Sequence, residues 1–143
     1  MVKKILLYGG LAILALFILI QFLPFGRNHT NPPVIQEPNW DSPQTRELAQ
    51  RACFDCHSNE TVWPWYSKIA PVSWLVANDT FEGRERLNFS EWGSSRMDEP
   101  EEAGEVVLEG EMPLRQYLLT HPEARLTDAE RQALAAGLAA TLR

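Results

Sequence analysis

Cysteine and histidine are scarce in this chain of 143 residues: two of the first and three of the second. Two cysteines cannot staple a disulfide-dense scaffold, and a structural zinc module needs four ligands, usually as two Cys/His pairs at fixed spacing. His29 and His121 form no such second pair. Also absent are a Ser–His–Asp set, a glycine-rich phosphate loop, internal repeats and any long run of alternating β-branched residues. Without the first two the chain is read as an electron carrier rather than an enzyme. Without the last there is no sheet to build, and the expected fold is all-α.

Charge is missing from one long stretch. After Lys3 and Lys4 no charged residue occurs before Arg27, which leaves Ile5 to Gly26 as an uncharged, Leu- and Ile-rich run. At about 1.5 Å per residue such a helix spans a hydrocarbon core of about 30 Å. A cleaved secretory signal is the rival reading, but its apolar region is shorter, about 7–15 residues, and ends at a small-residue site. Gln21-Phe22-Leu23-Pro24-Phe25 offers no such site. We therefore expect an uncleaved, single-pass anchor in the cytoplasmic membrane. Lys3 and Lys4 keep the N-terminus in the cytoplasm, and the rest lies in a periplasm or outside.

Basic residues are also few. Removing Lys3, Lys4 and Arg27 from the 13 basic residues leaves 10 against 19 acidic ones, a formal charge of −9 for the part beyond the anchor. That balance argues against nucleic acid as a partner and suits a redox partner with a basic docking surface.

Three regions are expected: residues 1–27 as the transmembrane helix, 28–40 as a Pro- and Asn-rich linker, and 41–143 as a helical domain. Asp41-Ser42-Pro43 starts a helix that runs through Thr45–Ala52 and delivers Cys53 at its end. Trp63-Pro64-Trp65-Tyr66 is a turn or loop, since Pro disfavours helix before it. Pro71 opens a helix through Trp74 towards Phe81, which Gly83 interrupts or closes. Asn88 to Trp92 is irregular. Pro100 to Glu109 forms a helix stopped by Gly110, and Leu114 to Leu119 a short one. Thr127 and Glu130 make a T-x-x-E capping box for a last helix with Leu134, Leu138 and Leu142 at helical spacing.

Both cysteines fall in one pentad, Cys53-Phe54-Asp55-Cys56-His57. Cysteines three apart on a helical turn share a face and reach the two vinyl groups on one side of a porphyrin. His57 then projects towards the ring centre as proximal iron ligand. The expected cofactor is one covalent haem c. A thioredoxin-like redox pair would want a βαβ setting, which is missing.

A six-coordinate iron needs a ligand on the opposite face, and the candidates are Met97, Met112, His29 and His121. Met112 is favoured: it sits on the loop Gly110-Glu111-Met112-Pro113, ahead of the last helix, and Met ligation raises the potential. Trp65, Tyr66 and Trp74, with Trp63, follow the pentad closely and are candidates to line a haem pocket. A Trp N–H, Lys68, Arg84 or Arg86 is a candidate partner for a propionate.

The order of helix, C-x-x-C-H, loop, G-x-M-P and L-T-x-x-E helix resembles class I c-type cytochromes. The stretches "CFDCHSNET", "WPWYSKIAPVSWL", "LNFSEW" and "GEMPLRQYLLTHPEARLT" resemble, more closely, the bacterial haem-binding domain family of small membrane-anchored or exported proteins. The likeness runs from about Asn39 to Leu142. It implies a small cytochrome-c-like fold with haem on Cys53 and Cys56, His57 as proximal ligand and Met112 as distal ligand. The function expected is single-electron transfer on the periplasmic side of the membrane. The alternatives are a haem-based redox or ligand sensor, or an accessory haem subunit of a membrane complex. A peroxidase-like activity, with His121 or Glu111 as acid–base group, requires an open sixth site.

Overall fold

The computed structural model describes residues 1–93 and 102–142. Among them are seven α-helices and no strand, only one isolated bridge between Gln36 and Glu91, so the all-α expectation holds. The chain separates into two compact units, Met1–Thr30 with Trp63–Asp79, and Asn31–Val62 with Thr80–Arg143.

The first unit contains α1 (Val2–Ile20), a helix of 19 residues with a mean hydropathy of 2.1, long and apolar enough to cross a membrane. It ends six residues before the uncharged run does. Gln21 and Phe22 turn, and Pro24, which lacks an N–H, cannot continue the helical ladder. The stretch Trp63–Asp79 adds a 3₁₀ turn at Trp65–Lys68 and the start of α4 (Val72–Arg86). The Gln21 side-chain amide donates to the Ala70 carbonyl at 3.0 Å and accepts from the Ala70 N–H at 3.0 Å. The same amide nitrogen also donates to the Phe17 carbonyl, which ties the end of α1 to the loop before α4.

The second unit is built on α2 (Pro43–Ala52), α3 (Phe54–His57), the later turns of α4, α5 (Glu102–Leu108), α6 (Arg115–Leu118) and α7 (Asp128–Thr141). Ser42 caps α2 by accepting from the Thr45 N–H, with Pro43 in the first helical position where its missing N–H is harmless. The T-x-x-E box closes as expected: Thr127 accepts from the Glu130 N–H while Glu130 reaches back to the Thr127 N–H. Leu134 and Leu138 of α7 pack with Leu48, Ala49, Phe54, Phe89 and Val107 in one apolar core. α7 meets α5 at Gly104 and α2 at Gly137, where an added methyl would run into the Ala135 carbonyl and the Thr45 side chain.

Residues 31–40, expected as a linker, run beside the 88–92 segment. The Ile35 and Gln36 N–H groups donate to the Ser90 carbonyl, and Trp92 donates to Gln36. Trp40 then sets its ring, tilted, against Phe89 and Phe54, at 5.1 and 6.2 Å between centroids. Its indole N–H donates to Glu37, whose carboxylate takes two bonds of 2.7 Å from Arg46. That guanidinium holds the Glu37 carboxyl below the usual range.

Gly83 corrects one expectation. It neither interrupts nor closes its helix, which runs on to Arg86. The Cys56 carbonyl comes so near that a Cβ at position 83 would lie 2.5 Å from its oxygen. The glycine serves close approach and not a stop.

Candidate functional site

The local sequence explains how the pentad is presented. α2 ends at Ala52, Cys53 leaves the helical region at φ −124°, and α3 restarts at once through Phe54, Asp55, Cys56 and His57. The N–H groups of Cys56 and His57 both donate to the Cys53 carbonyl, so the pentad is one closed turn. Phe54 is buried and anchors the turn in the core, stacking 5.6 Å from Phe89. Neither cysteine is in a disulfide, and both are partly buried. Burial, reinforced by the neighbouring Cys56, pushes the Cys53 thiol up to about 12. A redox-active or nucleophilic C-x-x-C works through a lowered thiol pKa, the opposite of this shift.

His57 is oriented by backbone. Its Nδ1 lies 3.1 Å from the Leu87 carbonyl, an acceptor only, so Nδ1 carries the hydrogen and donates. Nε2 keeps its lone pair, the arrangement that orients a metal-binding imidazole. Burial lowers the pKa of the ring and favours its neutral form, against the opposing pull of the Leu87 and Gly83 carbonyls. Leu87 is itself placed by α4, donating its N–H to Gly83.

A buried polar lattice holds the Leu87 carbonyl in place. Phe89 donates its N–H to the His57 carbonyl at 2.8 Å. Asn59 receives the Asn88 side-chain amide at 3.0 Å and donates its backbone N–H to the Ser90 hydroxyl at 2.9 Å. Asn88 in turn accepts from the Ser90 N–H. The Asn59 amide also donates to the Pro33 carbonyl and to Glu91. The N-F-S-E-W stretch is therefore the clamp that couples Leu87 to the turn bearing His57. These residues escaped sequence reasoning because the atom that matters, a main-chain carbonyl, has no sequence signature. The paired asparagines in "HSN" and "LNFS" were the available hint.

Asp55, between the cysteines, ties the pentad in another direction. Its carboxylate accepts from the Val62 N–H and from the Tyr117 hydroxyl, both at 2.8 Å. Burial, then the Asp55 charge, pushes the Tyr117 phenol far above its ordinary range. Arg84 spans the same turn, donating to the Ser58 carbonyl, Thr61 and Asn31.

Met112 sits directly after a Schellman closure of α5. Gly110, at φ 75°, donates to the Val107 carbonyl, and Glu111 and Met112 donate to that of Val106. Met112 and Cys53 both pack against the one apolar core of the second unit. The other candidates for a sixth ligand are differently placed. His29 belongs to the first unit, where it stacks on Trp63 at 4.5 Å and bonds the Ser67 carbonyl through Nε2. His121 stacks on Tyr117 at 3.9 Å, with Nδ1 at 3.0 Å from the Tyr117 carbonyl and Nε2 at 3.9 Å from Asp55. Met97 lies outside the described residues. Trp65, Tyr66 and Trp74, expected near a pocket, fall in the first unit, whereas Cys53, Cys56, His57 and Met112 fall in the second. Lys68 and Arg86 are exposed.

The donor set suits a macrocycle-bound iron better than a bare ion. Among the described residues, no three His, Cys, Asp or Glu side chains gather to hold a metal by themselves. The second unit holds two thiols on one turn, an imidazole whose Nδ1 is committed to the Leu87 carbonyl, and a thioether packed on the same core as Cys53.

Searches of curated proteins and of solved structures returned no match to this chain. A model of the haem-binding domain family matches residues 15–140, nearly the whole chain, and the protein belongs to that family.

Proposed function

We propose that this haem protein is a membrane-anchored, mono-haem c-type cytochrome that passes single electrons outside the cytoplasmic membrane. Haem c supplies an iron that cycles between ferric and ferrous states. Cys53 and Cys56 would carry it as thioethers, His57 would bind the iron through Nε2, and Met112 would supply the second protein ligand. The observation that carries this reading is the Nδ1 bond of His57 to the Leu87 carbonyl, which fixes the ring tautomer and leaves Nε2 for a metal. Family membership supports the cofactor. Cys53 and Met112 are half-buried against the apolar core, and a thioether ligand in such surroundings would raise the potential. α1 supplies the anchor, with the following domain in the periplasm.

The test is spectroscopic. Haem that stays with the denatured polypeptide in acidified organic solvent establishes covalent attachment, and release into the solvent overturns it. In the oxidised protein a near-infrared Met–iron band is expected, lost in Met112→Ala together with a fall in reduction potential. Carbon monoxide binding by the reduced wild type would instead favour the sensor reading.

A further inference from the structure

We propose that the aromatic stretch after the pentad is a foot that rests in the membrane–water interface, its partner being the headgroup zone of the bilayer that α1 enters. The inference rests on reading α1 as a membrane anchor and adds a second contact with the same membrane. Three observations within the first unit carry it.

The first is the join. Polar Gln21 follows the last residue of the apolar helix and exchanges two hydrogen bonds with the Ala70 backbone, both 3.0 Å. Gly26, at φ +70°, passes so close to α4 that a Cβ would lie 2.6 Å from the Ser73 carbonyl. His29 stacks on Trp63 and bonds the Ser67 carbonyl. The loop is therefore fixed at the point where the helix emerges from hydrocarbon, not carried away on a tether.

The second is what the loop and the helix tail present. Trp65 is 75% exposed, Phe22 80%, Phe25 62% and Leu75 49%. Indole and phenyl groups at this depth match the aromatic belts of membrane proteins, where the ring meets acyl chains and its polar edge stays wet. Phe22 and Phe25 follow directly on α1, whose residues are exposed from Val2 to Leu19, and the Gln21–Ala70 bonds join the loop to that same end. That attachment to the end of α1 makes the bilayer, rather than a separate partner, the occupant of this exposed surface.

The third is charge. The first unit beyond Ile20 contains the exposed cations Arg27 and Lys68 and one carboxylate, Asp79. The chain beyond the anchor is otherwise strongly acidic. Cations flanking an apolar belt suit phosphate headgroups.

The test uses the full haem-loaded chain reconstituted in phosphatidylcholine vesicles with diazirine lipids, adducts being located by mass spectrometry. A headgroup-proximal diazirine is expected to label peptides spanning 63–75, and an acyl-terminal one to label α1. Gln21→Ala is expected to cut labelling of 63–75 several-fold with α1 labelling unchanged; no change there overturns the joining role of Gln21. Labelled α1 with unlabelled 63–75 overturns the foot and leaves the anchor standing. If neither is labelled, the anchor reading has failed. Adducts between copies of the chain at 63–75, in place of lipid adducts, would assign the surface to self-association and overturn the proposal.

Discussion

Asn88 shows how much a single amide holds when it is buried. Its side chain serves Asn59 on one side and the Ser90 N–H on the other, and all three residues are almost fully buried. Alanine there leaves a carbonyl and an N–H without partners, at about 1–3 kcal/mol for each such group. We expect Asn88→Ala to lower unfolding stability by about 2 kcal/mol in urea titrations, whereas an exposed control such as Gln132→Ala changes it by less than about 0.5 kcal/mol. The proposed iron ligand His57 stands one step further on, since the same lattice fixes the Leu87 carbonyl that orients it. At this scale the sequence was partly legible. Cys53, Cys56 and His57 are adjacent in the chain, so their joint role can be read from spacing. The clamp is assembled from residues about thirty positions apart, through backbone atoms common to every residue type, and spacing says nothing about it.

At the scale of elements, α7 was the most legible, because its cap, carboxylate and leucine period lie within one short segment and agree with one another. Its start also links elements: Glu130 accepts from the Thr127 N–H and pairs with Arg51 of α2 at 2.6 Å. The Thr127 bonds, then Arg51, hold the Glu130 carboxyl at about 2 instead of 4.5. The folded value is the lower one, so this contribution is complete above about pH 4.5 and is lost as the pH falls towards 2. Glu130→Gln is therefore expected to be less stable than wild type at pH 7, with the difference vanishing near pH 2. Thermal unfolding of both proteins across that range checks it. α4 was misread for the converse reason. A glycine that admits a neighbouring carbonyl looks, in sequence, the same as one that ends a helix, and only the approach of Cys56 distinguishes them. The segment after the pentad has partners that spacing does not reveal: Trp63 stacks on His29 and Ala70 bonds Gln21, both more than thirty residues upstream.

For the whole molecule the dominant quantity is charge. The formal −9 beyond Arg27 creates a field that favours cationic encounter partners and fades within a Debye length of about 10 Å at 0.1 M salt. With the proposed haem in place, reduction by a cationic complex such as hexaammineruthenium should slow about tenfold between low and high ionic strength. Oxidation by the anion ferricyanide should speed up over the same range, and stopped-flow traces at a series of salt concentrations read both. The division of the chain has a consequence for the order of assembly. The first unit is discontinuous, and the 32 residues of Asn31–Val62, which include both cysteines, are threaded between its halves. In a chain made from the N-terminus, Cys53 and Cys56 emerge before Ala70 exists to meet Gln21. On the proposed reading, in which both thiols carry haem, they are accessible while the loop is still open. Closing a loop of this length costs about 3 kcal/mol of chain entropy. Whatever orders residues 31–62 first, the proposed haem included, lowers that cost and so hastens the meeting of Gln21 with Ala70.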